Sequence, residues 1–251
     1  MQNKTILVTG ASGGIGRAIV RTLGEAGHSV VAHWGLHEGA AVEATALIPD
    51  DRKLLVHADL MDASSIDSMW ERAVNWKGSI DVVVNNAATM PEAGIDASDA
   101  AWEAAWTQAF EVNVFGAAGV LRRATNHFRE TGGGILITLS SWAAQRGSGN
   151  PNLIAYAASK AAIAAATKTI ANSYAREGVL AYCVAPGPVN TEMTARAALT
   201  QGGLDAVRQS LAMGELVDPA EIGSIIGFLA TGSARHLSGA TLDVNGATYI
   251  R

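Results

Sequence analysis

The sequence predicts an α/β fold, a doubly wound parallel sheet of about seven strands, on three observations. Short β-branched runs alternate with longer helical patterns along the whole chain. The runs are apolar on both faces, as strands covered by crossover helices must be. The first run ends in a glycine-rich turn that leads directly into a helix.

In chain order, KTILVTG is the first strand and GIGRAIVRTLGEAG the first helix, followed by HSVVAHW, EGAAVEATALI, KLLVHADL, SSIDSMWERAVNW and IDVVVNNAA. A long helical region then covers about 99–130, before GGILITLSS, a helix of about 153–177, and the last strands VLAYCVAPG and GATLDVNG. No Pro/Gly/Ser linker, composition shift or internal repeat divides the chain, which predicts a single domain over 1–251. The stretch 191–217 differs, being amphipathic in places but broken by Gly202 and Gly203. Standing at a strand's carboxyl end, it reads either as a lid over a ligand or as an ordinary surface helical hairpin.

Of the 251 residues 49% are hydrophobic and only 16% charged, enough to bury a substantial core. A net charge of −5 with no block of Lys or Arg leaves no electrostatic footprint for nucleic acid or an anionic membrane, so a small-molecule partner is expected. The single cysteine, Cys183, excludes an internal disulfide and suits a reducing compartment; a cytoplasmic protein is expected. The N-terminal apolar run is too short for a signal peptide, and Lys160 and Lys168 interrupt the most Ala-rich segment before it could span a bilayer. No H-E-x-x-H, Cys/His cluster or acidic metal loop is present, so no metal is expected. Trp102 and Trp106, four apart, read as core or interface packing.

TGASGGIGR places Gly10, Ser12, Gly13, Gly14, Ile15 and Gly16 at the first strand-to-helix junction. Glycines there permit a tight turn and close approach of an anion, while the helix N-terminus directs N–H groups and its dipole at that anion. The spacing G-x-x-x-G-x-G lacks the lysine of a triphosphate-binding loop. A dinucleotide phosphate across the carboxyl ends of the strands, in a Rossmann-like sheet, is the better reading.

In LIAYAASKAAI, residues 153–163, Lys160 follows Tyr156 by four on one helix face. A phenol has a pKa of about 10, and a cation so near favours the phenolate by ~1–3 units. The plainer alternative is a packed ring and a solvated amine.

Together these motifs resemble the classical short-chain dehydrogenase/reductase family. TGASGGIG is similar to its cofactor turn, Asp59 in HADL to its adenine contact and NNAA at 85–88 to its NNAG motif. Asn113 in FEVNVFGA, Ser141 in ITLSS, YAASK, VAPGPVNT and the closing HLSGATLDVNGA continue the resemblance in order. It implies that Tyr156 is the general acid/base, that Ser141 polarises the substrate carbonyl, that Lys160 binds the nicotinamide ribose and lowers the tyrosine's pKa, and that Asn113 holds a water in a proton relay. Cofactor contacts are implied for Gly10, Ser12, Gly14, Ile15, Gly16, Asp59, Leu60, Asn86, Ala87, Tyr156, Lys160, Pro186, Gly187, Val189 and Thr191. The implied activity is hydride transfer between NAD(P) and a ketone or secondary alcohol, of 3-oxoacyl reductase-like or sugar dehydrogenase-like type, in a homotetramer or dimer.

Three features depart from the family pattern. Ser141 precedes Tyr156 by fifteen residues, two more than usual, with Ser140 a second candidate serine; Ala88 replaces a glycine; Tyr182 replaces an asparagine. AHWGLHEG offers no acidic residue before Glu38 to accept from a ribose 2′-hydroxyl, so NADP is preferred over NAD, with Arg17, His33 and His37 as candidate phosphate partners. The substrate pocket should draw on Trp142, Ala143, Gln145, the 147–153 bulge, Asn190 and Met193. The rival readings are a non-catalytic dinucleotide-sensing protein, which should have lost Tyr156 or Lys160, and an epimerase or dehydratase of the extended family, which should carry a different glycine turn.

Overall fold

The computed structural model describes residues 3–250. Strands β1 (Thr5–Val8), β2 (Ser29–Trp34), β3 (Lys53–His57), β4 (Val82–Asn85), β5 (Gly134–Leu139), β6 (Val179–Pro186) and β7 (Thr241–Val244) form one sheet in the order β3-β2-β1-β4-β5-β6-β7. Every adjacent pair is parallel. The order reverses between β1 and β4, where outgoing connections diverge and open a crevice at the strands' carboxyl ends.

The helices are α1 (Gly14–Glu25), α2 (Glu38–Ala44), α3 (Ala63–Lys77), α4 (Asp99–Phe110), α5 (Ala117–Thr131), α6 (Ala143–Arg146), α7 (Ile154–Tyr174), α8 (Glu192–Ala198), α9 (Leu204–Ser210) and α10 (Pro219–Ala230). Alternation along the strands assigns each side chain to one face. Ile6 and Val8 of β1 and Val82 and Val84 of β4 join Ile19, Leu23, Ile222 and Ile226 of α1 and α10. Leu7 and Val83 point to the opposite face, against Ile66 and Met69 of α3, Leu121 and Phe128 of α5, and Ile163 of α7. Burying each such aliphatic side chain is worth ~1.5–3 kcal/mol, so the sheet is held from both sides.

The expected long helix over 99–130 is interrupted. A π-helical turn, Glu111–Gly116, separates α4 from α5. Its last residue abuts the β3–α3 loop so closely that a Cβ on Gly116 would lie 2.4 Å from the Leu60 carbonyl oxygen. The turn buries Asn113. The helix expected over 153–177 is α7 flanked by short 3-10 turns. Tyr182 has an account here: it is fully buried in β6, and its hydroxyl donates to the Ala234 carbonyl at 3.2 Å. Trp102 and Trp106 pack on each other along α4, ring centroids 5.5 Å apart, and Trp106 packs on Phe110.

In the 191–217 stretch, α8 and α9 are separated by Gly202 and Gly203 at φ +84° and +92°, a region glycine enters without steric cost. Its root is closed by a bridge between Val189 and Val217, in which Asn190 N–H donates to Val217 O and Val217 N–H to Pro188 O, both at 2.9 Å.

Candidate active site

The glycine turn is sterically closed around its own backbone. Gly10 adopts φ +68°, and a Cβ there would lie 2.8 Å from Ala87 Cα. A Cβ on Gly16 would lie 2.0 Å from Gly10 O, and one on Gly14 would lie 2.6 Å from Thr191 Cγ2. The turn therefore touches both the β4 loop and the start of α8. Helix α1 begins with no side-chain cap and no acidic residue in its first turn, so its N-terminal N–H groups and dipole remain available to an anion. Ser12 and Ile15 are half-buried beside them.

Thr9, which sequence reasoning passed over, organises this edge. Its Oγ1 accepts from Asn86 N–H at 2.9 Å and Ala87 N–H at 3.0 Å. The Asn86 amide donates to Thr9 O at 2.8 Å and Gly10 O at 3.1 Å, so that side chain faces the turn's backbone. Asp59 is exposed, with one carboxylate oxygen accepting from Met61 N–H at 2.9 Å, and Leu60 is buried beneath it. Across the crevice, Pro186 O accepts from Trp142 N–H at 3.0 Å, Gly187 N–H donates to Val244 O at 2.9 Å, and Val189 is buried. Thr191 accepts from Thr194 N–H and caps α8.

Ser141 lies just beyond the carboxyl end of β5, and Tyr156 stands in the first turn of α7. The Ser141 hydroxyl accepts from Ala143 N–H at 3.2 Å and lies near enough to the Tyr156 phenol to influence its acidity. The two candidate serines are now distinguished: Ser140 Oγ donates to Lys160 O at 3.2 Å and anchors α7, whereas Ser141 faces the phenol. Lys160 is buried, with Nζ 6.0 Å from the Tyr156 ring centroid and donating to Leu139 O at 2.8 Å.

The electrostatics correct one expectation. Burial pushes the Tyr156 phenol above its ordinary value, and the Ser141 hydroxyl pulls it partly back. Burial is the larger influence on the phenol, and the Lys160 ammonium beside it donates to the β5 carbonyl. Burial also pulls Lys160 down to about 8. Desolvation, which disfavours whichever form is charged, governs both groups.

The Asn113 side chain is held at three points. Its Oδ1 accepts from Thr89 N–H at 2.8 Å, and its Nδ2 donates to Thr89 O at 2.9 Å and Ser159 Oγ at 3.0 Å. Ser159 Oγ in turn donates to Tyr156 O at 2.7 Å. The amide ties the β4–α4 loop to α7. His33 is no phosphate partner: it is 2% exposed with both ring nitrogens engaged.

The steric cradle of the turn, the uncapped α1 and the polar groups along β4 and β6 fit a dinucleotide lying across the switch point. A family model described as enoyl-(acyl carrier protein) reductase matches residues 10–247. The chain is 35% identical over 245 residues to cis-4-hydroxycyclohexanecarboxylate dehydrogenase of Sinomonas cyclohexanicum, covering 97% of this chain and 95% of that one. The chain belongs to the short-chain dehydrogenase/reductase family. Another relative, 3beta-hydroxysteroid dehydrogenase 1 of Eggerthella lenta, is 31% identical over 262 residues, covering 100% of this chain and 95% of its own. A crystal structure of 3-ketoacyl-(acyl-carrier-protein) reductase from Brucella melitensis complexed with NADH superposes with a TM-score of 0.87 at 26% identity, covering 99% of both chains. This short-chain dehydrogenase/reductase is thus a nicotinamide-dependent oxidoreductase of the carbonyl/secondary-alcohol kind. Among the described residues, no cluster of three His, Cys, Asp or Glu is placed to hold a metal ion, and no helix is long and apolar enough to cross a membrane.

Proposed function

We propose that the chain interconverts a ketone and a secondary alcohol with NADP(H) through Tyr156, Ser141 and Lys160, with Asn113 as a positioning residue. The juxtaposition of Ser141, just beyond the carboxyl edge of β5, with the Tyr156 phenol in the first turn of α7 carries this reading. Bound in the crevice, the nicotinamide would supply or accept the hydride. Tyr156 would hold the mobile proton at its hydroxyl, and Ser141 would donate to the same substrate oxygen as negative charge builds there. Gly10, Ser12, Gly14, Ile15 and Gly16 would cradle the phosphates. Asp59, Leu60, Asn86 and Ala87 would flank the adenosine, Lys160 the ribose, and Pro186, Gly187, Val189 and Thr191 the nicotinamide. A purely sensing protein has no use for a buried ammonium beside a phenol that faces a serine hydroxyl, each costly to desolvate.

One contact supports a lid over 191–217 within a single domain spanning the chain. Asn150, 4% exposed, donates through Nδ2 to Thr200 Oγ1 at 3.2 Å, which ties the longer Ser141–Tyr156 loop to the segment after α8. The same loop accepts Ala93 N–H on Asn152 O at 2.9 Å. Trp142, Ala143, Gln145, Asn190 and Met193 stand around this loop and lid as candidate walls. Ring alcohols of the kind named for the two sequence relatives, and oxoacyl groups of the kind named for the structural one, define the first test panel. Consumption of NADPH with any of these ketones, lost in Tyr156→Phe, supports the reading; equal rates for both proteins overturn it.

For the adenosine 2′ position, β2 ends at Trp34 and the first carboxylate after it, Glu38, lies in α2. Arg17 in α1 and His37 before α2 remain as phosphate partners. NADPH should bind more tightly than NADH in a fluorescence titration; comparable or better NADH affinity refutes the preference. A homo-oligomer is also proposed, since the alanine-rich α7 permits close approach of a second subunit and Phe115 is 61% exposed between α4 and α5. Light scattering should give a dimer or tetramer, and a monomer excludes it.

A further inference from the structure

His33 connects the two ends of the cofactor cradle. It sits in β2, one residue from the strand's end, 2% exposed. Its Nδ1 accepts the Gly10 N–H at 3.1 Å, and its Nε2 lies 3.0 Å from Ala58 O. A carbonyl can only accept, so Nε2 carries the proton and the ring is the neutral tautomer. Burial lowers the imidazole's pKa below its ordinary value, in keeping with that state. The His33 backbone carbonyl also accepts Ala11 N–H at 2.8 Å, so two successive amides of the glycine turn are fixed by one residue.

What hangs on these bonds is the geometry of the cradle. Gly10 holds φ +68°, and its carbonyl accepts from Gly13 N–H at 3.2 Å and from the Asn86 amide at 3.1 Å. Rotating the Gly10–Ala11 peptide would disturb both of these contacts and the Ala11 N–H bond to His33 O. On the other side, Ala58 N–H donates to Trp34 O at 3.2 Å, and Asp59 and Leu60 follow directly. The ring therefore spans from the first amide of the phosphate turn to the residue that launches the adenosine-side loop. An unpaired Gly10 N–H at one end or Ala58 carbonyl at the other would be costly.

We propose that His33 is a positioning residue for the dinucleotide: a neutral imidazole strut that fixes the phosphate turn by accepting the Gly10 N–H, its ring oriented by the Nε2–H bond to Ala58 O, without touching the cofactor. This rests on the reading that the turn binds the dinucleotide phosphates.

The two ring nitrogens make separable tests. In His33→Asn the amide oxygen takes the place of Nδ1 and keeps the Gly10 acceptor. His33→Gln reaches Ala58 but leaves Gly10 N–H without its acceptor, and His33→Leu removes both functions at similar volume. Dissociation constants for NADPH and NADH are measured by fluorescence titration, with melting temperatures of the cofactor-free proteins, beside a core control, Leu136→Ala. Loss of the buried acceptor should weaken binding about tenfold in His33→Leu and His33→Gln, with His33→Asn within about threefold of wild type. The control should melt lower yet bind normally. An unaffected His33→Leu, equal weakening of Leu and Asn variants, or equal weakening in the control would each overturn the strut. Wild-type protein that binds neither dinucleotide overturns the reading of the turn and the strut with it, a result distinct from the other three.

Discussion

Tyr156→Phe should reduce the turnover number for carbonyl reduction by about 10²–10⁴-fold, the range lost when a positioned proton donor is removed. Cofactor affinity should stay near wild type, since the variant loses one oxygen atom and keeps the ring. The raised phenol also sets a pH signature. In the reducing direction the protonated form is the competent one, so the rate holds through neutral pH and falls only at alkaline pH. In the oxidising direction the deprotonated form is competent, and the rate climbs as pH rises. Opposite pH trends for the two directions, both abolished in Tyr156→Phe, are the expected result; parallel trends would contradict the assignment.

Lys160→Met should move activity and stability in opposite directions. Lowering Lys160 from 10.5 to about 8 by burial is equivalent to ~3 kcal/mol of destabilisation at neutral pH, where the ammonium is charged. Removing the ammonium leaves Leu139 O unpaired, which takes back ~1–3 kcal/mol. The cofactor-free variant should therefore be as stable as wild type or gain up to ~2 kcal/mol, a few degrees in Tm. The pH dependence has a definite sign. The unfolded chain keeps the lysine proton up to about 10.5 and the folded protein only to about 8, so wild-type stability rises between these values and closes on the variant. Turnover should meanwhile drop by about 10²-fold or more, since the group proposed to hold the ribose is gone. A variant that is active, or one that melts well below wild type at pH 7, would contradict the account. Thermal melts at pH 7 and 10 with parallel assays decide it.

The parts of the site legible in the sequence are those whose steric demands leave a mark on residue choice. Gly10, Gly14 and Gly16 were readable because a Cβ at any of them meets backbone or Thr191 within 3 Å. The alternation of Ile6, Leu7 and Val8 between the two faces was readable because a covered parallel strand must be apolar on both. Thr9 and His33 left no such mark: a polar residue near a strand's end fits many roles, and theirs depends on contacts with Asn86, Gly10 and Ala58 from distant segments. The break at Glu111–Gly116 was hidden for the same reason, since the Gly116–Leu60 approach that accompanies it is tertiary. The charge logic of Tyr156 and Lys160 was misjudged from spacing alone. Helical separation gives proximity, but burial, which raises the phenol and lowers the lysine, dominates and cannot be read from spacing.

The central claim is that Ser141 and Tyr156 act on one substrate oxygen, and a double-mutant cycle tests it most directly. With kcat/KM measured for wild type, Ser141→Ala, Tyr156→Phe and the double variant on whichever ketone the panel identifies, groups sharing one oxygen should be strongly non-additive. Ser141→Ala should cost far less in the Tyr156→Phe background than in wild type. Full additivity of the two losses would show that the hydroxyls do not share that oxygen, and would contradict the account.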